Sequence, residues 1–277
     1  VSFRGKIYRW AAICCILLAA ATTNCWSQEM PPDIGDIEAG KQLVVGMTKF
    51  DNLPFYGVRD GELIGIDGDI ARQIGKVLGV AVRFDRSAAS FQDVVQLVID
   101  GKVHAGISKL SITPGRMKTV SFSAPYLELR QAVLVNRLWL SQNGADRDLA
   151  EVVRGYRGSV GLIAGTSYEA FSKINFPRAT YIPRTNWDEV LGDVMSGRTG
   201  LAYRDEFEVK RVFIDRPDSS ISVKSVVLTD NKDYIAVAVG YRSSQLLQII
   251  NFVLRDKFSS LNVDRVIARY NSLVGGH

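Results

Sequence analysis

The chain has 277 residues, 47% hydrophobic and 23% charged, a composition that fills two ordinary domains and excludes a disordered chain. Its net charge of +5 is mild and its Lys and Arg residues are dispersed, so no nucleic-acid partner is expected. The two histidines (His104 and the terminal His277) and three cysteines (Cys14, Cys15, Cys25) leave no Ser–His–Asp triad, no metal set and no cofactor motif.

Arg4, Lys6 and Arg9 precede an apolar run from Trp10 to Thr23, with no acid among residues 1–27. That run suits the core of a signal peptide and is short for a membrane-spanning helix. Residues 1–27 are therefore expected to be a signal peptide, cleaved after Ala21, Cys25 or Ser27. The alternatives are lipidation at Cys25, in the poor context Thr22-Thr23-Asn24, and a retained membrane anchor, and the mature domain is expected to hold no thiol. Residues 28–42 read as a polar lead-in, and Leu43 to Gly46 as a first strand. Asp67 is the expected cap of a helix striped by Ile70, Ile74, Val77 and Leu78 and stopped by Gly79. Val80 to Phe84 reads as the next strand.

Phe91, Val94, Val95 and Val98 sit at helical spacing, then Gly101, then an apolar strand from Val103 to Ile107. A polar loop, Ser108-Lys109-Leu110-Ser111, follows it. Thr113 is a good N-cap and Pro114 suits the first helical position, which brings Arg116 onto a first turn. The same plan returns downstream: Trp187, Val190, Leu191 and Val194, then Gly197, then a strand ending at Arg204-Asp205. Leu127 to Asn136 reads as an extended crossing segment, 143–146 as an exposed loop, and Tyr234 to Val239 as a returning strand before helices from Ser244 to Leu273. Alternating strands and helices predict an α/β fold. Ligands of open α/β sheets lie beyond the carboxyl ends of strands, so two similar halves with polar strand ends predict a cleft between two lobes. Arg116, the loop amides and the Ser111 hydroxyl form a candidate carboxylate site, because Arg grips a planar carboxylate through two parallel hydrogen bonds.

Several short motifs carry a family likeness. They are Gly65-Ile66-Asp67-Gly68-Asp69-Ile70-Ala71, Gly101-Lys102-Val103, Ser108 to Thr113 with Arg116, Phe122-Ser123-Ala124-Pro125-Tyr126, and Ala164-Gly165-Thr166. In this order and spacing the chain resembles the periplasmic amino-acid-binding proteins, the family 3 solute-binding components of ABC importers, from about Leu43 to Tyr270. The resemblance implies a two-lobed type II periplasmic-binding-protein fold, each lobe a mixed sheet flanked by helices, joined by two hinge strands. It divides the chain into lobe one (43–129), lobe two (130–232) and a return to lobe one (233–277). It places the ligand α-carboxylate on Arg116 and Ser111 from one lobe and on Thr166 and Ser167 from the other. It gives the α-ammonium to Asp205 and the Ser108 carbonyl, and the ligand side chain to Phe91 and the aromatic pair Phe50 and Phe55.

This chain departs from the family at three places. The loop around Pro54-Phe55 carries Asn52 where an aromatic is common and looks one residue longer. Lys109 stands for a small or uncharged residue, and His104, read as structural, for an Asp. Lys49, Lys109 and Arg204 near the side-chain end, with Asp51 the only nearby acid, favour a polar neutral or acidic amino acid. The expectation is a monomeric periplasmic receptor, not an enzyme, that hands an amino acid to an ABC permease. The alternatives are a cyclohexadienyl dehydratase-like enzyme on the same fold and a sensing domain without transport.

Overall fold

The two helix–strand units are built by the same local devices. In the helix Phe91–Ile99 the Ser90 side chain accepts the Asp93 amide at 3.1 Å while Asp93 accepts the Ser90 amide at 2.9 Å. Asn186 caps the helix Trp187–Met195 by accepting the Glu189 amide at 3.0 Å. Gly101 (φ 66°) and Gly197 (φ 78°) supply the left-handed turns that follow. Each helix then feeds a strand, Ala105–Ser111 and Leu201–Asp205, buried along its whole length.

The computed structural model describes residues 30–144 and 149–274. Its main sheet has nine strands. Eight run in the order Ala81–Ala88, Gln42–Thr48, Ala105–Ser111, Val223–Val239, Leu127–Asn136, Leu201–Asp205, Ser159–Ile163 and Thr180–Arg184; Ser121–Phe122 pairs beside Val223–Val239. The outer pairs are parallel, and the central strands are antiparallel. This is the two-lobed mixed α/β architecture expected. Two long strands join the lobes. Val223–Leu228 pairs with Asn136–Gln131, the register shifts, and Lys232–Ile235 pairs with Arg130–Leu127. In the first lobe Leu43, Val45, Ile70, Ile74, Ile107, Val237 and Ile250 share one core. In the second, Val190, Leu191 and Val194 pack on Ala132, Leu134 and Ala202.

Several sequence expectations need correction. The lead-in contains a helix, Pro32–Ala39, whose Ile34 and Ile37 join the first core. Its Asp33 carboxylate accepts the Gln245 and Leu246 amides, capping the helix Ser244–Lys257 from outside. Ser108–Ser111 is strand, with Lys109 alone at φ 47°. The returning strand is 17 residues long and starts at Val223. Asn143 and Gly144 end the helix Arg137–Gly144. The expected signal peptide and Ala145-Asp146 lie outside the described residues. Among the described residues no helix is long and apolar enough to cross a membrane.

Asp67 does not cap its helix. Gly65 holds the cap position of Ile66–Leu78 at φ 111°, where a Cβ would lie 2.5 Å from the Phe55 carbonyl oxygen. Asp67 instead turns inward, fully buried, to accept the Lys109 amide at 2.6 Å and the Tyr126 hydroxyl at 2.8 Å.

Candidate functional site

Thr113 accepts the Arg116 amide at 3.3 Å and opens the short helix Pro114–Met117, which carries Arg116 to the end of the Ala105–Ser111 strand. The Arg116 guanidinium is buried, and its Nη1 donates to the Ser111 carbonyl at 3.0 Å. Among the described residues it forms no ion pair. Burial lowers its pKa, with Asp233 pulling the other way. Facing it from the second lobe, Gly165 (φ 69°) turns the chain into Thr166 and the helix Ser167–Asn175. Ser167 Oγ lies 2.9 Å from Ser111 Oγ, so the two lobes touch here through hydroxyls. A buried guanidinium, two hydroxyls and a helix N-terminus converge on one point, a constellation that favours an anion.

Beside that point lies an ion network. Lys109 Nζ is 2.9 Å from Asp205 Oδ2 and 3.0 Å from Glu208 Oε1. It also sits 4.7 Å over the ring of Phe55 and 5.3 Å over that of Phe207. Asp205 caps the helix Glu206–Asp215 by accepting the Glu208 amide at 3.1 Å, which fixes both carboxylates one turn apart. Arg204 lies 3.9 Å from Asp205 and 3.7 Å from Glu208, and Arg211 lies 3.3 Å from Glu208. Burial alone would raise the Glu208 pKa, but Lys109, Arg211 and Arg204 overrule it and hold the carboxyl far below the usual range. Burial pushes Asp67 up to about 7, despite the Tyr126 and Lys109 hydrogen bonds.

Asp233, on the second hinge strand, is a further buried acid. Its Oδ2 accepts the Tyr168 hydroxyl at 3.0 Å, and its Oδ1 meets no donor in hydrogen-bond geometry. Burial, reinforced by the charge of Asp205, pushes its pKa up to about 6, although the nearby hydroxyls of Ser111 and Tyr168 pull it down.

Two cavities border the ion network, apart from a third of about 500 Å³ that Arg116, Thr166 and Ser167 also line. The inner one, about 20 Å³, is lined by Arg116, Ser111, Ser167, Lys109, Asp205 and Asp233 among others. That volume holds about one water. The outer one, about 310 Å³, is lined by Phe50, Asn52, Trp187, Arg211 and Glu208 among others, and Phe91 and Arg204 line both. Phe50 meets Phe91 edge to face at 5.5 Å, and Arg204 lies 5.6 Å over Trp187. Among the described residues Asn52 Nδ2 and Trp187 Nε1 are buried donors that meet no acceptor in hydrogen-bond geometry.

Of the residues expected at the ligand, Phe91, Lys109, Ser111, Arg116, Thr166, Ser167, Arg204 and Asp205 line the inner cavity, and Phe50 the outer one. Phe55 and Ser108 line neither. Phe55 is fully buried against Phe207, and the Ser108 hydroxyl accepts the Thr48 amide at 3.2 Å. Lys49 lines neither cavity, and Lys109 belongs to the inner one rather than the side-chain end. His104 accepts the Val44 amide through Nδ1 at 2.9 Å and is structural. Sequence reasoning missed Glu208, Arg211, Trp187 and Asp233. Glu208 alone had a readable signal, lying one helical turn after Asp205.

The chain belongs to the bacterial extracellular solute-binding proteins of family 3, whose profile matches residues 43–271. It is 26% identical over 241 residues to the probable ABC transporter arginine-binding protein ArtJ of Chlamydia trachomatis, covering 85% of each chain. It is 26% identical over 254 residues to the ABC transporter glutamine-binding protein GlnH of Bacillus subtilis, covering 88% of this chain and 86% of that one. The crystal structure of the ancestral amino-acid-binding protein AncCDT-1, a precursor of cyclohexadienyl dehydratase, superposes with a TM-score of 0.67 at 24% identity. It covers 86% of this chain and 98% of its own, a likeness of fold.

Proposed function

We propose that this protein is the extracellular receptor of an ABC importer and captures a small carboxylate-bearing solute of amino-acid size between its lobes. The observation that carries the reading is Arg116, a buried guanidinium with no ion pair among the described residues, set opposite the N-terminus of Ser167–Asn175. A carboxylate there would satisfy the guanidinium and the Ser111 and Ser167 hydroxyls together, and both lobes would gain contacts only in the closed form. The relatives' names, which print arginine and glutamine, support the amino-acid class.

The outer cavity favours a solute whose distal end is polar and neutral or acidic. Trp187 Nε1 is a donor only, and with Asn52 Nδ2 it calls for an acceptor on the solute's distal end. No lining acid is left for a cationic side chain. Asp51 is paired with Arg86 at 2.9 Å, and Glu208 is shared by three cations. Delivery to a permease follows from the receptor reading.

The test is a thermal-shift panel of the twenty amino acids and small mono- and dicarboxylates, run on the parent and on Arg116→Ala. A rise for some carboxylates in the parent that vanishes in the variant supports the reading. No rise for any compound would sink it.

A further inference from the structure

The seat expected to take a ligand's ammonium is filled by the chain's own side chain. Lys109 Nζ makes close contacts with both Asp205 and Glu208, and all three side chains are at most 4% exposed. The faces of Phe55 and Phe207 complete its surroundings. Its main chain is locked as well: Lys109 holds a left-handed conformation, and its amide donates to the buried Asp67. Arg204 and Arg211 supply the remaining countercharge. A second ammonium brought to Asp205 would face three fixed cations, and like charges at such range are strongly disfavoured.

The carboxylate end is different. Arg116 is buried, makes no ion pair among the described residues, and has the Ser111 and Ser167 hydroxyls beside it. The inner site thus asks for an anion but offers Asp205 no further cation to bind. The remaining acid in the cavity wall, Asp233, already accepts the Tyr168 hydroxyl through Oδ2, which leaves Oδ1 to take a donor such as a 2-hydroxyl on the solute.

We propose, resting on the receptor reading above, that the ligand is a small organic acid without an α-ammonium group: a 2-oxo, 2-hydroxy or unsubstituted carboxylate. Lys109 replaces the ligand ammonium as the counter-cation of Asp205 and Glu208. Charge specificity then comes from a side chain built into the strand Ala105–Ser111 rather than from the solute.

The experiment is calorimetric titration of the whole protein at pH 7 with matched sets that differ only at the α-carbon. Suitable sets are L-glutamate, 2-oxoglutarate and glutarate; L-leucine and 4-methyl-2-oxopentanoate; L-alanine, L-lactate and pyruvate. The expected result is at least one set whose amine-free member binds about tenfold or more tightly than its amino acid. That preference should move toward the amino acid in Lys109→Met and binding should be lost in Arg116→Ala. Amino acids that bind as tightly as their amine-free partners, or more tightly, in every set that binds would overturn the inference while the receptor reading stands. Binding that ignores Arg116→Ala overturns it too, since the site is then elsewhere. If no compound of either kind binds, the receptor reading falls and the inference with it. The parent comparison stands alone should Lys109→Met fail to fold.

Discussion

Lys109 Nζ and Asp205 Oδ2 lie 2.9 Å apart although 96 positions separate them in the chain. The pair, with Glu208, ties the first lobe's Ala105–Ser111 strand to the start of the Glu206–Asp215 helix. Removing one partner of a buried pair leaves the others uncompensated, which costs about 3–5 kcal/mol. Lys109→Met should lose stability on that scale in urea unfolding, although Arg204 and Arg211 soften it. A loss well under 1 kcal/mol would mean that the network is not formed in solution.

Arg116→Met should do the opposite in the free protein. The wild-type guanidinium is buried with no ion pair among the described residues, so an apolar side chain of similar length leaves the free protein equally stable or more so. Binding of every carboxylate should weaken by about 2–5 kcal/mol, roughly 30-fold or more. Paired melting and titration data would read both effects, and a variant that melts lower yet binds normally contradicts the assignment.

The buried acids set a pH window. The folded-state pKa values of Asp233 and Asp67 are raised to about 6 and about 7 from 3.8. The folded chain therefore binds these protons more tightly than the unfolded one. Their contribution is fully present below about pH 4 and is lost as pH rises through 6 to 7. His104, whose pKa burial lowers, works in the opposite sense. Comparison with Asp233→Asn removes it: the variant should gain about 1–3 kcal/mol over the parent at pH 7.5, and the gain should vanish near pH 4. Carboxylate affinity should rise in the parent as pH falls through about 6, because Asp233 then loses its charge beside Arg116. A pH-independent difference in stability would contradict the assignment.

Gly65 is fixed by backbone geometry. At φ 111°, a Cβ there would lie 2.5 Å from the Phe55 oxygen and 2.7 Å from the Pro54 oxygen. The same two carbonyls accept the Ile66 and Asp67 amides, so the close approach is what aims Asp67 at Lys109. Gly65→Ala should cost about 2–4 kcal/mol. An unchanged melting temperature would show that the turn relaxes freely.

The sequence made the paired helix–strand units legible because each carries its own signals: Ser90 or Asn186 before the helix, an apolar stripe, and Gly101 or Gly197 after it. Arg116 was readable as a candidate carboxylate residue for the same local reason, whereas Ser167 entered through the family resemblance. Lys109 was not legible. Set in the polar run Ser108-Lys109-Leu110-Ser111 it reads as loop, and only its partners, 96 and 99 positions away, make a buried strand position tolerable. Asp233 and Trp187 were missed likewise, since burial among residues distant in sequence gives them their character. The helix Pro32–Ala39 was hidden by its length of eight residues, too short for a clear stripe.

The most direct test is a crystal structure of the protein with the tightest-binding carboxylate from the titrations. The account predicts the ligand carboxylate within hydrogen-bond distance of the Arg116 guanidinium and of the Ser167 hydroxyl, with Lys109 still on Asp205 and Glu208. A ligand seated away from Arg116, or one whose ammonium has displaced Lys109 from Asp205, would contradict it.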